Sequence, residues 1–307
     1  MELSAPAQRT LKDWIIASRP WSFTASLIPV IAISAYLFLQ STLYGWDCDW
    51  LNALLALPML VCLQAAGNLI GDYHDHVKGV DLPGSLNQVR HIQSGKFQPR
   101  EILHYGYAML ATAALLGLVI LVRSSFSAIW LGVAGLLMVY FYPWLKYHAL
   151  GDLDVLLGYA LLPALGVSFV VTGTYHWEVL LLSIPFGSLT VAILHANNTR
   201  DILNDHRAGI DTMCIRIGGR ASQWVYLVEL ILPYVLIPIY VLTGLCEWPA
   251  LFTFLTLPIA LRHVRTMMKA KPLADTPIGG LDQQTAQLQL LFGLIFTLSF
   301  ALMALFV

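Results

Sequence analysis

Nine stretches of this chain are long and apolar enough to dictate what the rest can do: about 22–41, 51–71, 102–122, 127–145, 153–173, 178–198, 223–244, 249–268 and 286–306. A helix needs about 20 mostly apolar residues to cross a bilayer. Lipid offers no partner to backbone amides, so crossing segments fold as helices or as closed barrels. The alternating ten-residue pattern of a membrane barrel is absent. The stretches therefore predict an all-α, polytopic membrane protein of about nine transmembrane helices, a single domain over 1–307. Prolines 29, 58, 163, 185, 233, 238 and 258 fall inside them, as neighbouring membrane helices permit. Composition agrees: 58% of residues are hydrophobic and 11% charged, against about 45–50% and 25% in soluble domains. A soluble enzyme, a disordered chain and a nucleic-acid binder are excluded.

The few charges set an orientation. With the N-terminus in the cytoplasm, sixteen of the seventeen Lys and Arg residues fall on the inner side and only Arg123 outside, as the positive-inside rule requires. Nine spans then put the C-terminus outside, and the expected location is the inner (cell) membrane of a bacterium. Residues 1–20 are polar and basic and end at Pro20, so no cleavable leader is read there. The four cysteines read as unpaired thiols. Only Cys48 and Cys246, both expected in outward loops, are placed so that a disulfide is conceivable.

The inner side also receives the two long connections, 72–101 and 199–222, read as cytoplasmic loops that carry acidic motifs. Long loops in compact domains tend to be functional. The first motif runs Asn68-Leu-Ile-Gly71-Asp72-Tyr-His-Asp75-His-Val-Lys78-Gly79-Val-Asp81. The second runs Asn197-Asn198-Thr-Arg200-Asp201-Ile-Leu-Asn204-Asp205-His-Arg207-Ala-Gly209-Ile-Asp211. At an offset of 129, Asn68 meets Asn197 and Asp72 meets Asp201; with one inserted residue Asp75 meets Asp205, Gly79 meets Gly209 and Asp81 meets Asp211. Internal repeats in membrane proteins often flank a shared site. Residues four and seven or eight apart share a helix face, so Asn68, Asp72 and Asp75 project together, as do Asn197, Asp201 and Asp205. Two sets of hard oxygen ligands suit Mg²⁺, which favours carboxylates plus substrate phosphate oxygens. Lys78, Arg90, Arg200 and Arg207 are positioned to receive a diphosphate.

On these residues the chain resembles the UbiA superfamily of intramembrane aromatic prenyltransferases, and within it the 1,4-dihydroxy-2-naphthoate polyprenyltransferases of menaquinone biosynthesis. The likeness rests on Arg19-Pro20, on the two motifs, and on the Asn197-Asn198-x-Arg200-Asp201 opening in particular. Tyr142-Pro143 with Lys146, Gly151-Asp152 and the segment 285–293 follow the pattern more loosely. One departure is Gly71, where the family has Asn; Asn68 or water then completes the metal shell. The resemblance implies a central cavity open sideways to lipid and capped by the inner loops. It implies that Asp72, Asp75, Asp201 and Asp205 are the catalytic metal ligands. Asn68, Lys78, Asp81, Arg90, Tyr142, Lys146, Asn197, Asn198 and Arg200 would hold substrate. The implied reaction joins a polyprenyl group from polyprenyl diphosphate to dihydroxynaphthoate with loss of carbon dioxide, giving demethylmenaquinol.

Tyr73, Phe141, Tyr142 and Trp144 are candidates to face an allylic cation, and Lys146 and Arg19 to face the acceptor carboxylate. His74, His76 and His206 read as solvated loop histidines, and His195 as a hydrogen-bonded core group. Other readings are a sibling enzyme acting on 4-hydroxybenzoate, homogentisate or haem, an ion-coupled transporter, and a structural subunit. A transporter expects acids at mid-bilayer depth, whereas these lie at the inner span ends beside basic residues.

Overall fold

In the computed structural model, which describes residues 9–79, 92–271 and 278–307, the apolar stretches are helices. A short α1 (Leu11–Ala17) precedes a 3-10 turn at Pro20–Ser22 and α2 (Thr24–Tyr44). Then follow α3 (Trp50–Val77), α4 (Pro99–Arg123) and α5 (Ile129–Lys146). Next, α6 (Gly151–Leu156) is joined by a π turn, Leu157–Leu161, to α7 (Leu162–Thr172). The chain continues through α8 (Glu178–Arg207), α9 (Met213–Ile217), α10 (Gly219–Leu242), a 3-10 run at Trp248–Thr256, α11 (Leu257–Lys269) and α12 (Leu281–Leu305). No strand occurs among the described residues; His148 and Asp211 form an isolated bridge.

Eight of these helical runs have the length and hydropathy to cross a membrane. The ninth expected crossing, 249–268, takes another form: nine residues of 3-10 helix lead into the thirteen of α11. Arg262, Arg265 and Lys269 make it less apolar than the others. It still traverses the bundle. It begins after Glu247, which accepts a hydrogen bond from Gln40 near the end of α2. It finishes at Met267 and Ala270, whose carbonyls accept from Gln223 at the start of α10. A 3-10 helix rises ~2.0 Å per residue against ~1.5 Å for an α-helix, which lengthens a segment that carries few apolar residues.

The repeat read in the sequence is a repeat in structure. α3 has 28 residues and α8 has 30, and each has an internal proline, Pro58 or Pro185. Each ends two residues before a glycine in the left-handed region, Gly79 at φ 71° and Gly209 at φ 69°. Neither 72–78 nor 199–208 contains a proline or glycine. The motif residues therefore form the last turns of the two spans rather than loops: 72–77 and 199–207 are helical. This corrects the loop boundaries expected from hydropathy, which falls where the motifs begin although the helix continues.

Apolar burial drives no association between helices in lipid, where close packing and polar pairs do the work. α12 lies against α2 at Gly293, where a Cβ would stand 2.0 Å from Ile28 Cγ2. Tyr226 bonds Thr285 across α10 and α12 at 2.7 Å, and Gln289 bonds Thr190 across α12 and α8 at 2.6 Å. The Phe186 ring meets Phe292 and Phe296 edge-on. Exposed Leu115, Leu118, Val122, Leu137 and Phe141 cover the outer sides of α4 and α5, as lipid-facing surface does. All four cysteines are free.

Candidate active site

The two acidic tips, the ends of α3 and α8, stand on either side of the end of α5. α5 closes with Tyr142, Lys146 and Tyr147, and the one-turn spacing of Tyr142 and Lys146 puts both on its inner face. Lys146 Nζ lies 2.9 Å and 3.2 Å from the two carboxylate oxygens of Asp75, and Tyr147 Oη donates to Asp75 at 2.8 Å. From the other tip, buried Asp205 is within electrostatic reach of Lys146, Asp201, Asp75 and Arg200. Lys146 is thus the cation between one carboxylate of each repeat. Lys78 sits over the Tyr147 ring, 4.0 Å from its centre.

Each remaining acid has its own cation. Asp72 is paired with Arg19, whose backbone is left-handed (φ 58°, ψ 60°). Such a conformation costs a non-glycine residue energy; here it turns the chain between α1 and α2 and aims the guanidinium at α3. Asn68 fixes that turn, donating to Ser18 O and Ser22 Oγ at 2.9 Å each. Arg200 is held in a fork by Asp201 at 2.9 and 2.8 Å, by Asn197 at 2.5 Å, and by Asp282 at the start of α12 at 3.1 Å. Asn198 is buried, and its Oδ1 lacks a hydrogen-bond partner. It shares a helix face with Asp201 and Asp205 at spacings of three and seven.

Above this polar layer lies a cavity of about 400 Å³ between α2, α3, α4, α5 and the α6–α7 segment. Tyr142, Tyr159, Asp154 and Gly67 line its motif end, and Ala56, Ile129 and Leu118 its far end. Leu118, Ile129 and Val133 are also exposed on the outer surface, so the cavity opens laterally between α4 and α5. From Tyr142 to Ile129 it follows α5 for about 20 Å at ~1.5 Å per residue. It is a sleeve fit for an apolar chain that stays in the bilayer.

The sequence-predicted residues Asp72, Asp75, Lys78, Lys146, Asn197, Arg200, Asp201 and Asp205 are therefore brought together, with Tyr142 at the junction of polar layer and cavity. Asp81 and Arg90 lie outside the described residues. Of the aromatic candidates only Tyr142 faces inward. Phe141 and Trp144 are exposed on the outer face of α5, and Tyr73 packs edge-on to His74. Arg19 and Lys146, the candidates for the acceptor carboxylate, are salt-bridged to Asp72 and Asp75. Sequence reasoning missed Tyr147, Asp282, Asp154 and Tyr159. Tyr147 adjoins Lys146, but nothing in the sequence brings Asp282 next to Arg200.

His195 is a core residue of α8. Its Nδ1 lies 3.0 Å from Asp152 Oδ2 and 3.5 Å from Glu229 Oε1, and Ser222 O is 3.1 Å from its Nε2. Among the described residues these three are the group of His, Cys, Asp and Glu side chains whose donor atoms lie within 4.8 Å of one another. The set locks α6, α8 and α10 together away from the cavity lining.

Fold and site define a class: an intramembrane helical transferase with two carboxylate-bearing helix tips at the mouth of an apolar chain sleeve. The UbiA prenyltransferase family model matches residues 26–277; the chain belongs to this family and is a prenyltransferase. It is 31% identical over 299 residues to UbiA prenyltransferase domain-containing protein 1 of Xenopus tropicalis, covering 94% of this chain and 81% of that one. It is 32% identical over 292 residues to the Homo sapiens protein of that name, covering 92% and 82%. Among solved structures it resembles a UbiA homologue from Archaeoglobus fulgidus bound to GPP and Mg²⁺, at TM-score 0.63 and 13% identity, covering 96% of this chain and 99% of that one. It also resembles an apo UbiA homologue from Aeropyrum pernix K1, at 0.67 and 16%, covering 90% and 96%. These likenesses bear out the expected family and all-helical fold. The relatives compared carry the domain-containing protein 1 name rather than that of a naphthoate enzyme.

Proposed function

We propose that this enzyme transfers a polyprenyl group from polyprenyl diphosphate to a hydroxylated aromatic ring. The acceptor we favour is 1,4-dihydroxy-2-naphthoate, prenylated with loss of carbon dioxide. The observation that carries the reading is the placement of Asp75 and Asp205 around Lys146 at the mouth of a lipid-open apolar cavity. The donor's charged head belongs in the first and its hydrocarbon tail in the second.

Mg²⁺ suits the residues present. Asp72, Asp75, Asp201 and Asp205 offer hard carboxylate oxygens, and the orphaned Asn198 Oδ1 offers a neutral one, the donor set that Mg²⁺ takes. When bound there, Mg²⁺ supplies charge neutralisation to a departing diphosphate. The protein's own contribution is electrostatic. Arg19, Lys146 and Arg200 are salt-bridged to acids from the two tips and would face the diphosphate of a donor held between those tips, where preorganised charge lowers the barrier to ionisation. As the allylic C–O bond breaks, Tyr142, which lines the motif end of the cavity, would offer an aromatic face to the developing cation. The apolar sleeve excludes the water that would trap the cation. The ring carbon then forms the new C–C bond, and carbon dioxide leaves from that carbon.

The basic bias supports a cytoplasmic motif-bearing end, and a naphthoate acceptor would go with a bacterial cell membrane. A second reading, an acceptor other than the naphthoate, is favoured by the names of the relatives compared. Membranes carrying the protein, given polyprenyl diphosphate, Mg²⁺ and a panel of aromatic acids, decide between them. Prenylated naphthoquinol with carbon dioxide release supports the first. Product from 4-hydroxybenzoate or homogentisate alone supports the second. No prenylated product from any acceptor refutes both.

A further inference from the structure

The wall of the apolar cavity holds a carboxyl group that the transfer of a prenyl group, as derived above, does not use. Asp154, on α6, lines the motif end of the cavity and is 4% exposed. Its Oδ1 is buried without a hydrogen-bond partner, and among the described residues neither carboxyl oxygen meets a cation. A second oxygen in the same wall is in the same condition. Gln64 donates its amide to Ser22 O at 2.8 Å, while its Oε1 is buried and unpartnered. Buried polar groups without partners are costly and uncommon in native structures. Two of them in one cavity, both acceptors, mark a surface built for donors that arrive with a ligand.

The donor substrate cannot satisfy them. Its tail is hydrocarbon, and its diphosphate is anionic and belongs to the cations on the far side of Tyr142. The aromatic acceptor brings neutral O–H groups. Tyr142 and Tyr159 lie within electrostatic reach of Asp154, and Gly67 adds no side chain beside Tyr159, whose Oη a Cβ there would meet at 3.9 Å. A flat ring is thus offered aromatic walls, with a carboxyl at the side.

We propose that Asp154 binds the acceptor by accepting a hydrogen bond from a ring hydroxyl, and so selects a hydroxylated aromatic and orients its nucleophilic carbon toward Tyr142. This deepens the proposed function and rests on it. The hydroxyl's hydrogen bond also feeds electron density into the ring that attacks the allylic carbon.

The test compares wild type with Asp154→Leu and Asp154→Asn in detergent or nanodiscs. The probes are 1,4-dihydroxy-2-naphthoate and its monomethyl ethers, each assayed with polyprenyl diphosphate. A hydrogen bond to a charged group corresponds to roughly a 10- to 100-fold effect. Asp154→Leu is expected to raise the acceptor KM by that factor and leave the donor KM unchanged. It should also erase the wild type's preference for the free hydroxyl over its ether. Asp154→Asn, whose carbonyl still accepts, should keep part of the preference. Leucine suits an apolar wall, so its melting temperature should not fall. An unchanged acceptor KM, a preserved ether preference, or equal losses in donor and acceptor KM would each overturn the role of Asp154 while prenyl transfer stands. A wild type that prenylates no aromatic overturns the proposed function and this inference with it.

Discussion

Replacing Lys146 with methionine keeps an unbranched side chain one atom shorter and removes its charge from between the two repeats. In the native site Nζ is 2.9 Å from Asp75 and within reach of Asp205. The side chains of the Lys146–Asp75 pair are 15% and 10% exposed. Two unit charges about 4 Å apart interact by ~4 kcal/mol at an effective dielectric near 20. At ~1.4 kcal/mol per decade, losing most of that from a transition state that sheds diphosphate lowers kcat by about 100- to 1,000-fold. The same change acts oppositely on the metal, because a cation no longer competes with Mg²⁺ for the carboxylates. The variant should need less Mg²⁺ for half-maximal rate than wild type. The assay is release of labelled diphosphate across a Mg²⁺ titration. A Lys146→Met enzyme within threefold of wild type in kcat, or one that demands more Mg²⁺, refutes the electrostatic bridge.

Asp72→Asn, Asp75→Asn, Asp201→Asn and Asp205→Asn should each abolish turnover and leave the detergent-solubilised protein monodisperse; full activity in two of them ends the metal-site account. Gly71→Asn should fold normally, since a Cβ there meets nothing nearer than Tyr142 Cε1 at 3.9 Å. Gly293→Ala should lose roughly 1–3 kcal/mol to overpacking against Ile28, and thermal unfolding of the two variants checks the contrast. The Lys96 ammonium and the Thr10 amide hold the Asp13 carboxyl down at about 2, from an ordinary value of 3.8. Its tie between α1 and the segment at 92–97 should persist above about pH 4 and be lost as pH falls through about 2. Amide hydrogen exchange of α1 reads that release, and protection unchanged at pH 2 would contradict it.

The spans and both acidic clusters were legible because lipid and charge leave strong periodic marks. Hydrophobic runs fix helix number, and a matched order of Asn, Asp, Gly and Asp, at an offset of 129 that becomes 130 after one inserted residue, marks a repeat. The helix ends were misread because polarity, not helix breaking, defined the span limits; only Gly79 and Gly209 stop the backbone. Partnerships across the bundle were illegible for a different reason. Arg19 with Asp72, Arg200 with Asp282, and Asp154 beside Tyr142 join residues that packing, not spacing, brings together. Arg19 is a candidate for the acceptor carboxylate by its charge, and its left-handed backbone, which aims it at α3, leaves no sequence mark. Aromatic residues on α5 were equally ambiguous until helix phase separated inward Tyr142 from lipid-facing Phe141 and Trp144.

The central claim is that the tips of α3 and α8 act on one metal-bridged diphosphate. Titration calorimetry of a polyprenyl thiodiphosphate, with and without Mg²⁺, measures this directly. The account predicts binding that requires Mg²⁺, is lost in Asp75→Asn and in Asp205→Asn alike, and falls no further in the double variant, because residues sharing one ligand are not additive. Wild-type affinity in either single variant, or losses that add as independent sites do, would contradict it.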